Sequence, residues 1–175
     1  DVQELPTHGG SLRVFAARAD ATAHPQATPD GADRVAQLLA TEATAGLLSE
    51  GFYSDFQPQA LRIKRELLSF LLQCQADGLT VGAYGAAAKG NTLLNFAGVR
   101  PDLLPYVVDK NPAKQGQYLP GSRIPIVDEA HLRAHRPDRV LILPWNLRDE
   151  VAAQLDYVRG WGGQFAVAVP RLEIW

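Results

Sequence analysis

Residues Thr80 to Thr92 read Thr-Val-Gly-Ala-Tyr-Gly-Ala-Ala-Ala-Lys-Gly-Asn-Thr. An apolar strand would run into a tight small-residue turn and then into a helix. Gly82, Gly85 and Gly90 let the backbone approach a ligand closely, and Ala86, Ala87 and Ala88 keep bulk away from the mouth of the turn. Lys89 brings a positive charge to the helix start, where Asn91 and Thr92 add hydrogen-bonding groups. A helix N-terminus already offers unpaired N–H groups and a partial positive charge. The combination predicts an anion site, with a nucleotide phosphate as the expected anion. Tyr84 ends the strand just before the turn and is included in the site. The glycine spacing is not the G-x-G-x-x-G of dinucleotide sites, so an ordinary NAD site is not expected.

Three later segments could meet the same ligand. Asp109 stands 24 residues after Gly85, at the expected end of the next strand. In a doubly wound sheet such an acid accepts a ribose hydroxyl; it could equally cap the turn through Asn111 and Pro112. Lys110, Asn111, Lys114 and Tyr118 follow in one polar loop, which reads either as a phosphate- and base-contacting loop or as a solvated one. Trp145 and Asn146 end a further strand and suit a flat or hydroxylated ligand, while Asn146 is also a candidate N-cap for a helix from Leu147. His8 and Ser11, in His-Gly-Gly-Ser, are candidate neighbours of an active site. His24, His131 and His135 are scattered and read as surface residues. The spacing shows no metal-ligand set, no Ser–His–Asp arrangement, no Walker loop and no basic stripe. No catalytic residue is assigned.

These groups need a scaffold, and the pattern after Gly78 supplies one. Strands are expected at 79–84, 106–109, 124–127, 139–143 and 164–169, with Pro125 placing its strand at a sheet edge. Helices are expected at 91–97, 129–134, where Asp128 is the cap, and 147–161. Alternation of this kind implies right-handed crossovers. The expected fold is α/β: a Rossmann-like, doubly wound, mostly parallel sheet flanked by helices, with an N-terminal strand and helical segment. A strong amphipathic helix is read over 58–76, a helical pattern interrupted by Gly46 and Gly51 before it, a strand over 12–18, and a loop or linker from Ala19 to Gly31. Cys74 is read as a buried structural cysteine.

The 175 residues carry a net charge of −2 and are 46% hydrophobic. That balance supports a real core and gives no bulk attraction to nucleic acid or an anionic membrane. No apolar run reaches the ~18 residues of a membrane span, and no signal peptide is visible. The cytoplasm is the expected location. The absence of methionine and the opening on Asp1-Val-Gln-Glu-Leu suggest either an excised piece of a longer protein or a processed N-terminus.

Four blocks in order, His8 to Val14, Gly82 to Thr92, Val107 to Gly121 and Leu143 to Asn146, resemble the C-terminal domain of the sugar C-methyltransferase family. The resemblance spans about residues 8–170. It implies methylation of a keto-deoxysugar on a nucleoside diphosphate: a base removes the proton alpha to the ketone, and the enolate attacks the methyl group of S-adenosylmethionine. The family has a zinc-binding N-terminal domain, a central methyltransferase domain and this third one. Residues 1–30 would then be the end of the methyltransferase domain with a linker, and 31–175 the Rossmann-like domain, its helices at 33–77 included. The resemblance implies that this chain binds the nucleotide-sugar and not S-adenosylmethionine, that zinc belongs only to the missing first domain, and that the missing methyltransferase domain is its partner. The family's Tyr-x-Glu-His catalytic motif precedes His8 and is absent, so the chain alone is expected to be inactive. Two other readings stay open: a stand-alone nucleotide- or CoA-binding regulatory module, and a domain that packs on a catalytic domain and binds nothing.

Overall fold

A computed structural model describes residues 1–7, 10–21 and 30–175. The chain divides into two compact units, residues 1–58 and 59–175.

The first unit holds an antiparallel hairpin of β1 (Val2–Leu5) and β2 (Ser11–Val14), in register from Val2 opposite Val14 to Leu5 opposite Ser11. The strand expected over 12–18 stops at Val14, where the hairpin partner begins at Val2. Helix α1 (Gly31–Ala45) is tied to the hairpin by Arg34, whose guanidinium meets the buried Asp1 carboxylate at 2.7 Å. Gly46 ends α1 and α2 (Glu50–Ser54) follows, with Gly51 inside it. Helix α3 (Phe56–Ala76) begins at the end of this unit and runs into the second. Most of the Ala19–Gly31 segment read as a linker, with His24, and also His8, lies outside the described residues.

The second unit is the expected α/β fold. Six strands lie in the order β5-β4-β3-β6-β7-β8: β3 (Val81–Tyr84), β4 (Val107–Val108), β5 (Ile126–Val127), β6 (Arg139–Ile142), β7 (Gln164–Val167) and β8 (Glu173–Ile174). Every pair is parallel except β7–β8, and β5 sits at the edge as Pro125 required. Between them run α4 (Ala88–Ala97), α5 (Glu129–His135) and α6 (Arg148–Gln154).

The pleat sends alternate residues to opposite faces. Val81, Ala83, Val107, Leu141 and Ala166 face a core with Leu67, Leu71 and Cys74 of α3 and Leu94 of α4. Tyr84, Val108, Val140, Ile142, Phe165 and Val167 face a second core with Leu132 of α5 and Val151 of α6. Helices therefore cover both faces, and the strands, buried on both sides, are nearly all apolar.

Three local expectations are corrected. The helix read as 91–97 begins at Ala88, because Gly90 lets the first turn press against Leu143: a Cβ there would stand 2.6 Å from the Leu143 Cβ. The helix read as 147–161 is three pieces, a 3-10 turn at Trp145–Leu147, then α6, then a 3-10 stretch at Asp156–Trp161. Asn146 is consequently not an N-cap: it lies inside the first 3-10 turn, which closes through Leu147 N–H to Pro144 O at 2.8 Å.

Candidate functional site

The chain leaves β3 for β4 and β5 on one side of the sheet, then returns to β6 on the other. The carboxyl ends of β3 and β6 thus form the topological switch point, where open α/β sheets hold ligands. The glycine turn follows β3 and the Pro144–Asn146 turn follows β6, so both lie at this point.

Gly85 shapes the crossing. Its φ is +91°, and a Cβ would lie 2.6 Å from Pro144 Cδ. Helix α4 then starts at Ala88 with Ala87 as its N-cap and no side-chain capping bond. The first amides of a helix have no partner within it. Exposed Lys89 stands beside them. Its Nζ donates to Asn146 Oδ1 and lies 5.2 Å from the centre of the Trp145 ring. A cation, an indole and a carboxamide therefore meet across the switch point from two turns 57 residues apart.

The β4 side is organised around Asp109, which is buried. Its Oδ2 accepts from Ala86 N–H at 2.8 Å and from Lys114 Nζ at 3.0 Å, and its Oδ1 accepts from Asn111 N–H at 2.9 Å. Lys114 Nζ also donates to Ala86 O at 2.9 Å. Burying an unpaired carboxylate costs several kcal/mol; three donors, one of them the Lys114 counter-charge, offset that here. Asn111 Oδ1 accepts from Ala113 N–H at 3.0 Å, closing a local turn. Lys110 is exposed, as is Tyr118, which bridges to Pro125 at the sheet edge.

The remaining anticipated residues make contacts within the protein. Gly82 lies under the Tyr106 ring, where a Cβ would be 2.7 Å from its hydroxyl oxygen. Tyr84 is buried, and its hydroxyl accepts from Gln154 Nε2; burial pushes its pKa up, and the Gln154 bond opposes that. Asn91 Oδ1 accepts from Asn95 Nδ2 at 3.1 Å, and Thr92 Oγ1 donates back to Ala88 O at 3.1 Å. Ser11 belongs to the first unit, where its Oγ donates to Thr7 O at 2.9 Å. Two contributors were not anticipated. Gln115 Nε2 donates to Asp109 O at 2.9 Å, and Pro144 fills the space that Gly85 leaves. The Leu-Pro-Trp-Asn block contained the signal for Pro144; Gln115 had none beyond its place in the loop.

At the opposite edge, the residues leading into the strands surround a cavity of about 470 Å³. Leu71, Leu103, Pro105, Pro125, Tyr106 and His131 line it. His131 and His135 are stacked there at 3.7 Å, with Tyr106 edge-on to His131 at 4.6 Å. The surface reading holds for His135, which is exposed, while His131 is half-buried; the two are not scattered, because four-residue spacing on α5 brings them together. Among the described residues, no three His, Cys, Asp or Glu side chains group where a metal could be held, and no helix is long and apolar enough to cross a membrane.

A mostly parallel six-stranded sheet with helices on both faces defines a Rossmann-like α/β domain. Residues 6–170 match the family model described as "C-methyltransferase C-terminal domain". The chain is also similar to the C-methyltransferase NovU of Streptomyces niveus, at 36% identity over 174 residues. That match covers 99% of this chain and 40% of the relative, so the chain spans about two fifths of the curated relative's length. The chain belongs to the C-methyltransferase C-terminal domain family.

Proposed function

We propose that this chain is the nucleotide-sugar-binding domain of an S-adenosylmethionine-dependent C-methyltransferase acting on the carbon alpha to the ketone of a nucleoside-diphosphate keto-deoxysugar. Lys89 and the first amides of α4 receive the diphosphate. Asn91, Thr92 and Lys110 border it, while Trp145 and Asn146 take the flat or hydroxylated part of the ligand. The observation that carries this reading is Lys89 held over Trp145 by Asn146, beside an uncapped helix start at the switch point.

S-adenosylmethionine supplies the methyl group when bound, and its place is in a preceding domain, not here; zinc belongs to a domain further upstream. Residues 1–30 end that methyltransferase domain. In support, among the described residues β1–β2 pairs as two strands, with Leu12 and Val14 exposed on them. This chain's part in the reaction is to hold the sugar still, because in-line transfer depends on positioning. By itself it catalyses nothing, and the cytoplasm is its proposed location.

Thermal unfolding with TDP and UDP tests the reading, with S-adenosylmethionine and NAD as controls. A ligand at ~100 times its dissociation constant adds roughly 2.7 kcal/mol of stability. The expected result is a rise with a nucleoside diphosphate that Lys89→Ala abolishes while leaving the unliganded midpoint unchanged. A rise with NAD alone overturns the reading.

A further inference from the structure

Asp109 and Lys114 stand apart from the other polar residues of the crevice because their bonds are already made within the protein. The Asp109 side chain is 11% exposed and accepts three hydrogen bonds. Lys114 divides its ammonium between that carboxylate and Ala86 O. Both backbone polar groups of Ala86 are thereby held by one ion pair, the N–H by Asp109 and the C=O by Lys114. On either side, Gly85 N–H donates to Val108 O and Ala87 N–H to Gly85 O, each at 2.7 Å. The two peptide groups flanking Ala86 are fixed, and with them the direction in which the chain enters α4 two residues later. Gln115 adds a tie from the loop to Asp109 O.

We propose that Asp109 and Lys114 are positioning residues: a clasp on Ala86 that aims the glycine turn at the ligand's diphosphate without touching the ligand. The proposal rests on the nucleotide-sugar reading for its ligand, but not for its geometry. It assigns the acid at the end of β4 a task other than accepting a ribose hydroxyl. That hydroxyl would find three of the roughly four acceptor sites of a carboxylate already taken, on a side chain that is only 11% exposed.

Inorganic pyrophosphate separates the two roles, because it carries the phosphates and no ribose. Its affinity and that of TDP and UDP would be measured by calorimetry on the unaltered chain and on Lys114→Met, Lys114→Arg and Asp109→Asn. A clasp predicts that Lys114→Met weakens pyrophosphate and both nucleotides by the same factor, on the order of tenfold. Lys114→Arg, which can still bridge carboxylate and carbonyl, restores most of it. Loss confined to the nucleotides in Asp109→Asn, with pyrophosphate unchanged, would show a ribose contact and overturn the proposal. A lysine that touched phosphate would take part of the salt dependence with it when removed; an unchanged salt dependence in Lys114→Met supports the clasp, and a reduced one overturns it. If neither pyrophosphate nor a nucleotide binds the unaltered chain, the diphosphate reading fails. The clasp is then judged by amide exchange in the unliganded protein. Faster exchange at Ala86 and its neighbours in Lys114→Met supports it, and unchanged exchange there sinks it.

Discussion

The two edges of the six-stranded sheet are built from different materials. At the carboxyl edge the loops are polar and tightly joined: Gly85 against Pro144, Asp109 to Ala86 and Lys114, Lys89 to Asn146. At the amino edge the chain enters its strands through Pro105, Pro125 and Pro137, around a cavity lined mostly by apolar side chains. Parallel strands explain the division. All crossovers that change direction across the switch point leave from the carboxyl edge, so the turns with free backbone groups collect there. The cavity lies at one edge, and the oriented donors lie at the other.

The largest expected effect tests how tight the carboxyl edge is. Gly85→Ala combines a left-handed backbone with a Cβ 2.6 Å from Pro144 Cδ. Strain of about 1–2 kcal/mol from the conformation and about 1–3 from overpacking give a loss near 3 kcal/mol. Gly98→Ala is the control. Its φ is +79°, but a Cβ there meets nothing within 4 Å, so only the conformational part, about 1 kcal/mol, should appear. Denaturant midpoints of the two variants measure the difference. Equal losses would mean that Pro144 gives way and the edge is looser than described.

Two tyrosines sharpen the contrast further. Tyr84 and Tyr106 belong to the same core, on the same face of the sheet. The Tyr84 hydroxyl, near the carboxyl edge, accepts from Gln154 Nε2. The Tyr106 hydroxyl, near the amino edge, is buried with no hydrogen-bond partner, and burial pushes its pKa up to about 12. Removing a bonded hydroxyl leaves its partner unsatisfied, whereas removing an orphan relieves a desolvation penalty. Tyr84→Phe is expected to lose about 1 kcal/mol and Tyr106→Phe to gain about as much, read from urea unfolding. A loss in Tyr106→Phe would reveal a bond made in solution.

The same contrast explains what could be read from the residues alone. Local signals held. Pro125 marked an edge strand, and Asp128 caps α5 through His131 N–H at 2.9 Å. The strand–helix alternation gave the six-stranded architecture except for β8, whose two residues carry no pattern of their own. The helix after β6 was misjudged because Val151, Leu155 and Val158 are spaced four and then three apart. That spacing suits an α-helix, yet it also suits one that tightens to 3-10, as Val158 N–H does onto Leu155 O. Long-range pairing was out of reach. Nothing in Asn146 announces that its partner is Lys89, and its type favoured the local capping role that the 3-10 turn denies it. Asp109 had two readings, a ribose acceptor and a turn cap. The Asn111 N–H bond is the local cap, and only the fold reveals Ala86 and Lys114 as its further partners.

The smallest expected effect is a pH dependence that belongs to the amino edge. Burial lowers the His131 pKa, the stacked His135 lowers it further, and Asp128 opposes both in part. The folded chain therefore binds this proton less readily than the unfolded chain does. Above the ordinary imidazole value of about 6.5 both states are neutral and His131 contributes nothing to the pH dependence. As pH falls below that value the unfolded chain takes up the proton first, so stability declines, and the decline levels off below the folded-state pKa. The lowered carboxylates Asp138, bonded to Thr80, and Glu173, paired with Arg148 and Arg171, act in a lower window. Their contribution is present above their unfolded values and is lost only as pH falls through the folded ones. Unfolding midpoints at about pH 7 and about pH 5 thus keep these two carboxylates out of the comparison, and the His131 variant reads its own share. A modest drop is expected in the unaltered chain and a smaller one in His131→Gln, while Lys89→Ala at the carboxyl edge should leave the drop as it was. An identical drop in His131→Gln would place the pH sensitivity elsewhere and remove the distinction in proton binding between the two edges.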